Sequence, residues 1–171
     1  MIKKAQFLTR MQQKKLKSPI RGMYVKGDYD TLDLYLTRYN SAVITLQTAL
    51  SLHRLIDEWP NNPYDLCFKS GYRKINDNKI RQYRDLPKTF LLGIEIIKRN
   101  GCVFKIYNKE RLLLELWRKR KYVADDIYKE AIHKYRDLVK TGELNIPLIK
   151  KYIASVPKSD LFYCKLSDEV L

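Results

Sequence analysis

The chain has 171 residues, of which 45% are hydrophobic, and 34 lysines and arginines against 19 acidic residues give a formal net charge of +15. This length fits one folded domain, and six glycines with six prolines exclude a collagen-like or low-complexity chain. The charge exceeds what solubility requires. We therefore expect a polyanionic partner, with nucleic acid favoured over a membrane surface.

The basic excess is uneven, because residues 1–27, the basic arm, hold eight basic side chains and no acidic one. Residues 3–16 predict a basic helix that ends at Ser18-Pro19, and IRGMYVKG predicts a short strand between Gly22 and Gly27, as in a hairpin or wing. Such an arm can lie along phosphates, and the alternative is a solvated terminus without a binding role. The candidate nucleic-acid contacts are Lys3, Lys4, Arg10, Lys14, Lys15, Lys17, Arg21 and Lys26.

Location and redox state follow from the apolar residues and the cysteines. The segment MIKKAQFLTR lacks the apolar core of a secretory signal, and no apolar run of the sequence is long enough to cross a bilayer. We therefore expect a cytoplasmic protein. Cys67, Cys102 and Cys164 are widely spaced without a C-x-x-C pair, which predicts reduced, partly buried thiols.

Two helices and a short strand are predicted after the arm. Asp30 or Thr31 can cap a helix over residues 32–39, and residues 42–44 are strand-like. Thr45 can cap a second helix over LQTALSLHRLI. The proline-containing segment that starts at Trp59 ends this helix.

The middle third changes to the period of strands. YDLCFKS, KIRQY, GIEIIKR and CVFKIYN are short, β-branched and aromatic, and Asn100-Gly101 between the last two is a two-residue hairpin signal. These segments predict a small mixed or antiparallel sheet.

The last third is predicted to be helical. A helix over residues 110–121 is followed by a longer amphipathic helix over 125–140 with Gly142 as its C-cap, and by a shorter helix that precedes Pro157. The tail SDLFYCKLSDEVL predicts a turn or a strand. The predicted fold class is α+β, with a small mixed or antiparallel sheet packed with several amphipathic helices. A second basic patch, or else a plain exposed helix face, is predicted at Arg118, Lys119, Arg120 and Lys121.

The sequence offers little for catalysis or metal binding. Neither His53 nor His133 has a second histidine or a cysteine at i+4, so His53 is interpreted as a hydrogen-bonded core residue and His133 as solvated. The segment that holds the aspartates at 28, 30 and 33 lacks the Gly and Glu of a calcium loop, so helix capping is favoured over calcium binding. After Glu95, Ile97 stands where a nuclease strand would carry lysine, which disfavours nuclease chemistry. We expect no enzyme activity, no cofactor and no metal.

Three stretches, in this order, resemble the AbiEi-family antitoxins of type IV toxin-antitoxin (abortive infection) systems. They are RGMYV at 21–25, RYNSAVITLQTALSLHRLIDEWP at 38–60 and VFKIYNKERLLLELWRKRK at 103–121, followed by the Tyr-bearing EAIHKY at 130–135. In the family the first resembles the end of a winged helix-turn-helix, the second a helix with a Thr-Ala-Leu-x-Leu-His run, and the third a strand that enters a Glu-Arg helix. The signature core residues on this resemblance are Tyr24, Tyr39, His53, Glu110, Arg111 and Tyr135.

The resemblance implies a non-enzymatic antitoxin that counteracts a co-encoded nucleotidyltransferase toxin without a stable complex, and that binds operator DNA to repress its own operon. The chain departs from the family at Arg54, where Gly is frequent, and at Leu112, where Thr is usual.

The larger departure is at the N-terminus, because only 23 residues precede Tyr24, fewer than a complete winged helix-turn-helix needs. Residues 1–27 are therefore interpreted as a truncated remnant of that domain, and residues 28–171 as the AbiEi-like antitoxin domain. DNA binding is expected to be non-specific or weakly specific. The competing hypothesis is a basic interaction protein that docks on an acidic protein partner without DNA recognition.

Overall fold

The computed structural model describes residues 16–20 and 22–171. It begins with an antiparallel hairpin of two strands, β1 (Leu16–Ile20) and β2 (Met23–Lys26). Ile20 belongs to the hydrophobic core, and Met23 and Val25 pack against that core. The hairpin is therefore attached to the rest of the described chain by its apolar side chains.

The basic helix predicted over residues 3–16 lies outside the described residues, except for Leu16, which begins β1. Ser18 and Pro19 were predicted to end that helix, but they lie inside β1, where proline is tolerated because a two-stranded sheet consists of edge strands. The strand predicted between the two glycines is confirmed as β2. The winged helix-turn-helix remnant stays a prediction.

The next elements follow the predicted order: α1 (Thr31–Arg38), β3 (Val43–Ile44) and α2 (Leu46–Leu52). Asp30 caps α1, since its Oδ1 accepts a hydrogen bond from the Leu32 amide at 2.8 Å. Thr45 occupies the N-cap position of α2, as predicted, but its side chain makes no capping hydrogen bond. That helix ends at Leu52, earlier than predicted, because a turn at residues 53–54 closes it.

A five-stranded mixed sheet forms the centre of the molecule, as predicted for an α+β fold. Its strands lie in the order β5-β4-β3-β7-β6. The β3–β4 and β6–β7 pairs are antiparallel, whereas β4–β5 and β3–β7 are parallel. Besides β3, the strands are β4 (Tyr64–Lys69), β5 (Ile80–Asp85), β6 (Ile94–Arg99) and β7 (Cys102–Tyr107), with the short helix α3 (Pro87–Phe90) between β5 and β6.

The central strand β3 is only two residues long. Ile44 pairs with Leu66 of β4 on one side and with Ile106 of β7 on the other. All three side chains are buried. This short strand is the only link between the β5–β4 and β7–β6 pairs within the described sheet.

Helices cover both faces of the sheet. On one face, Tyr39, directly after α1, packs edge-on against Phe68, with ring centroids 6.1 Å apart. The opposite face carries Tyr107 and Cys67, whose Oη and Sγ lie 3.6 Å apart. On that face lies α4 (Lys109–Arg118), which follows β7 and packs against α2.

Each helix in the described part of the chain is too short or too polar to span a bilayer. The remaining elements follow in chain order. A 3-10 turn over residues 120–122 precedes α5 (Asp125–Lys140), and α6 (Ile146–Ala154) follows it. The tail forms α7 (Ser159–Lys165) and a wide helical turn to residue 170, so the predicted turn or strand is wrong. It is helical because Phe162 and Leu166, four residues apart, are both buried, with Phe162 stacked on Trp117.

Gly93 permits the close approach of β6 to the start of α4. Its φ is +70°, and its carbonyl accepts a hydrogen bond from the Asn108 amide at 2.7 Å. A Cβ at this position would lie 2.5 Å from the Cβ of Arg111 and 2.8 Å from Asn108 Oδ1. Any side chain here would therefore displace α4 from the sheet.

We expect Gly93→Ala to lower the free energy of unfolding by about 3 kcal/mol, from left-handed strain together with the collision. Gly71→Ala is the matched control, because Gly71 also has a positive φ but open space around it. It is expected to cost only about 1 kcal/mol. Urea unfolding of both variants measures the difference, and equal losses would contradict a role for the close approach.

Candidate functional site

The basic arm is described only in part. Lys17 and Lys26 lie on the β1–β2 hairpin and are exposed, while the hairpin's apolar side chains pack on the core. This part of the arm is thus a solvent-facing basic element with a fixed attachment. The other six candidate contacts lie outside the described residues: Lys3, Lys4, Arg10, Lys14, Lys15 and Arg21.

The second basic patch does not form the exposed helix face that the sequence suggested. Arg118 Nη1 lies 2.8 Å from Asp85 Oδ2 and 2.5 Å from Glu115 Oε1, and Lys119 forms an ion pair with the other Glu115 oxygen. These cations turn inward because the two carboxylates lie beside the end of α4. The remaining two members differ: Arg120 pairs with Asp125, and Lys121 is exposed.

The same carboxylates hold a third cation in the interior. Arg111 is fully buried, and its Nη2 lies 2.8 Å from both Asp85 Oδ2 and Glu115 Oε1. Its guanidinium carbon also lies 5.1 Å from the centroid of the Tyr107 ring. We call Asp85, Arg111, Glu115, Arg118 and Lys119 the buried ion cluster.

Electrostatics keeps the acidic members of this cluster ionised. Burial alone would raise the pKa of Asp85, but hydrogen bonds and charges from Arg118 and Arg111 hold it below its ordinary value. Burial likewise opposes ionisation of Glu115, and its three cationic neighbours, Lys119 first, lower its pKa. Sequence reasoning missed both carboxylates. The i,i+4 spacing of Arg111 and Glu115 was a usable signal, whereas nothing local marked Asp85.

Two signature residues bind the backbone at the junction of β7 and α4. His53 Nε2 lies 2.9 Å from the Tyr107 carbonyl oxygen, and the Tyr135 hydroxyl donates to the Lys109 carbonyl at 2.7 Å. His53 lies just after α2 and Tyr135 lies on α5. The junction is therefore held by side chains that lie far apart in sequence.

The other signature residues differ in burial. Tyr39 is a core residue, as predicted. Glu110 is partly buried, and its Oε1 accepts a hydrogen bond from the Asn145 amide at 3.1 Å. Tyr24 is 45% exposed, so its prediction as a core residue is wrong. On β2 the neighbours of Tyr24, rather than Tyr24 itself, face the core.

The backbone is unusual at Arg54, just beyond the end of α2. Arg54 has a φ of +58°. Its amide donates to the Ser51 carbonyl at 3.0 Å, and the Leu55 amide donates to the Leu50 carbonyl at 2.8 Å. This pair of bonds closes a helix through a left-handed residue, which is usually glycine. Arg54 therefore adopts a backbone conformation that glycine reaches without steric cost.

A groove of about 370 Å³ opens beside this turn, between the ends of α2, α4 and α5. Burial lowers the pKa of His53, so its imidazole is neutral at pH 7. Because Nε2 is committed to the Tyr107 carbonyl, it does not face a substrate in the groove. The charged lining residues are of both signs: Arg54, Lys109, Lys134, Asp137 and Glu143.

Metal ligands are not assembled in the part of the chain that the structure describes. Over residues 16–20 and 22–171, no group of three or more His, Cys, Asp or Glu side chains could hold a metal ion. His133 is exposed on α5, as predicted. The cysteines are free thiols, but only Cys67 is buried, and the partial burial predicted for Cys102 and Cys164 is wrong.

No protein-family model matches this chain, and no curated protein matches it. The fold and the site define an α+β protein with a basic, solvent-facing hairpin and a buried ion cluster. Its relation to the AbiEi antitoxins is a proposal.

Replacing Arg54 tests the strain at the end of α2. We expect Arg54→Gly to raise the free energy of unfolding by about 1 kcal/mol, because glycine adopts a positive φ without steric cost. The matched reverse change is Gly142→Ala, since Gly142 closes α5 with the same pair of bonds at a φ of +70°. It should lower stability by about the same amount. Thermal unfolding measures both, and a stability loss in Arg54→Gly would contradict the assignment.

Protonation of His53 should destabilise the fold. The folded pKa lies below the unfolded value of 6.5, so the unfolded chain binds the proton more readily. The stability that neutral His53 contributes is complete above pH 6.5 and is lost as pH falls through 6.5 toward the folded pKa. We therefore expect the stability difference between the wild type and His53→Gln to shrink from pH 7.5 to pH 5.5.

The difference between the two proteins is the appropriate quantity for this test, because Asp65 titrates in the same range with the opposite effect. Burial raises the pKa of Asp65 to about 6, so its contribution to stability increases as pH falls. That contribution is common to the wild type and His53→Gln. It therefore cancels when the unfolding free energies of the two proteins, each measured with urea, are subtracted. A difference that stays constant with pH would contradict the role assigned to His53.

Proposed function

We propose that this chain is a non-enzymatic, antitoxin-like protein of a type IV toxin-antitoxin (abortive infection) system. It acts in the cytoplasm and counteracts a nucleotidyltransferase toxin. The observation that supports this most directly is the β7–α4 junction, where residues from separate AbiEi-like segments meet. His53, from the second segment, and Tyr135, from the following helix, each bind a backbone carbonyl of the third.

The strands and helices of these segments are neighbours as well. Ile44 of the second segment pairs with Ile106 of the third, and α2 packs against α4. A chance likeness of three short stretches would not require them to share one core. Arg54 adds an independent observation, since the family's frequent glycine coincides with a left-handed residue.

The chemistry of the described residues favours a role without catalysis. The carboxylates of the buried ion cluster are ion-paired inside the protein, and His53 Nε2 faces a backbone carbonyl. Enzymes that use such groups place them within reach of a substrate, with a pKa near the working pH. Here the pKa values of Asp85 and Glu115 are lowered by their partners, which favours a structural role.

The basic arm would bind DNA chiefly through phosphates, with a weak preference for sequence. Lys17 and Lys26 are exposed on a hairpin that the core holds in place, and no acidic residue precedes Asp28. Contacts to phosphates supply affinity and register but carry no direct sequence information. Repression of the chain's own operon would then require this arm.

Toxin neutralisation is tested by co-producing the chain with the nucleotidyltransferase encoded beside its gene. We expect the wild type to restore growth. Arg111→Met should abolish rescue, because two buried carboxylates lose a partner at a cost of several kcal/mol. Gln12→Ala, in the arm, is the control and should rescue fully. Absence of rescue by soluble wild-type protein, or a neighbouring gene of another class, would contradict the proposal.

DNA binding is tested with two variants that each lose five positive charges. The arm variant replaces Lys3, Lys4, Lys14, Lys15 and Lys17 with Gln, and the control variant replaces five exposed helix and turn lysines: Lys129, Lys140, Lys150, Lys151 and Lys158. We expect only the arm variant to lose most of its affinity for a duplex carrying the chain's own promoter. For this variant, the slope of the logarithm of the binding constant against the logarithm of the salt concentration should fall in magnitude by up to about 0.9 for each phosphate contact removed.

Fluorescence anisotropy over a salt series measures both affinities, with a scrambled duplex of equal length as the specificity control. The wild type should prefer its promoter only slightly. Equal losses in the two variants would show that net charge alone accounts for binding and would contradict a role for the arm.

A further inference from the structure

The strand β6 ends the five-stranded sheet, and no described strand pairs with its outer side. The Gly93 carbonyl accepts a hydrogen bond from the Asn108 amide, so this pair is a hydrogen-bonded pair of the β6–β7 ladder. Hydrogen-bonded and non-hydrogen-bonded pairs alternate along an antiparallel ladder. The backbone groups of Ile94, Ile96 and Lys98 therefore point away from β7. These residues present a row of amide and carbonyl groups that another extended chain can pair with.

The side chains beside this edge form a regular pattern. Ile96 lies opposite Lys105, and Lys98 lies opposite Val103, so that all four share one face of the β6–β7 hairpin. Ile96 and Val103 are each 60% exposed, and the two lysines are also exposed. Two branched aliphatic side chains thus alternate with two positive charges.

We propose that the β6 edge binds an extended segment of an acidic protein partner, which adds to the sheet as a sixth strand. Its apolar side chains would contact Ile96 and Val103, and its carboxylates would pair with Lys98 and Lys105. Main-chain hydrogen bonds supply affinity in this mode, and alternate side chains supply specificity.

Charge distinguishes this occupant from two others. A second copy of the chain would bring the same lysines and a net charge of +15 to the edge, so like charges would oppose pairing. Lys98 therefore protects the edge against a basic strand but not against an acidic one. A nucleic acid would use the lysines but would not pair with a row of peptide groups. This surface lies outside the basic arm and does not depend on the proposed antitoxin function.

The test uses an acetylated, amidated heptapeptide of alternating Glu and Val, with a Lys and Val heptapeptide as its charge-reversed partner. We expect the acidic peptide to bind the full chain and to slow hydrogen exchange at the amides of Ile94, Ile96 and Lys98, measured by NMR. The Lys and Val peptide should bind at least about tenfold more weakly, because it meets like charges.

Ile96→Pro tests the backbone contribution, because it removes an amide that points away from β7 and is therefore compatible with an edge strand. The substitution should lower the affinity for the acidic peptide by about tenfold, which is the effect of losing about one backbone hydrogen bond and disturbing its neighbours. If this variant fails to fold, the doubly reversed Lys98→Glu/Lys105→Glu decides the question by itself. That variant should reject the acidic peptide and bind the Lys and Val peptide.

Non-specific attraction to a basic protein is controlled by Lys129→Glu/Lys150→Glu, which makes the same charge change on exposed helical positions. Its affinity for the acidic peptide should stay within about twofold of the wild type, as expected for distant screened charges. Equal weakening by both charge variants would overturn the proposal. So would protection of the β6 amides by a thymidine oligonucleotide, or self-association that Ile96→Pro abolishes.

Discussion

The ion pair between Arg111 and Asp85 fixes the arrangement on which the rest of the structure depends. Asp85 ends β5 at one edge of the sheet, whereas α4 starts directly after β7. The helix must therefore cross β3 and β4 to bring its cations to that carboxylate. Three strand spacings cover about 14 Å, and ten helical residues rise about 15 Å, so the length of α4 matches the crossing. Because Arg111 is fully buried and its Nη2 contacts both Asp85 and Glu115, removing these contacts would leave a charge in the core with fewer partners.

The positive charge of the chain is consequently divided into two populations with different roles. Arg111, Arg118 and Lys119 share two carboxylates, Asp85 and Glu115, and orient α4 on the sheet. Lysines on the β1–β2 hairpin and on the β6–β7 hairpin reach solvent. Net charge alone does not distinguish these populations, because both are made of the same residue types. What separates them is whether a buried carboxylate, from the same helix or from another element, lies within reach.

The sequence predicts the parts of this fold that depend on local signals. The four longer strands of the sheet, the turn at Asn100-Gly101 and the helix over residues 125–140 follow from periodicity and turn chemistry. The errors arise where tertiary contacts decide. The tail is helical because Phe162 meets Trp117, and Arg118 turns inward because Asp85 lies beside it. Neither partner can be located from short-range patterns, so this part of the candidate site required the structure.

The two-residue strand β3 has a consequence for the order in which the chain can acquire structure during synthesis. The antiparallel partner β4 begins at residue 64, whereas the parallel partner β7 begins only at residue 102. A nascent chain can thus assemble β3, β4 and β5 while one side of Ile44 still faces water. The β3–β7 pairing that completes the sheet can form only after Ile106 has left the ribosome. The helix α4, which carries the cations of the buried ion cluster, follows directly after β7. During translation, β7 and the helix α4 that packs on the sheet therefore emerge one directly after the other.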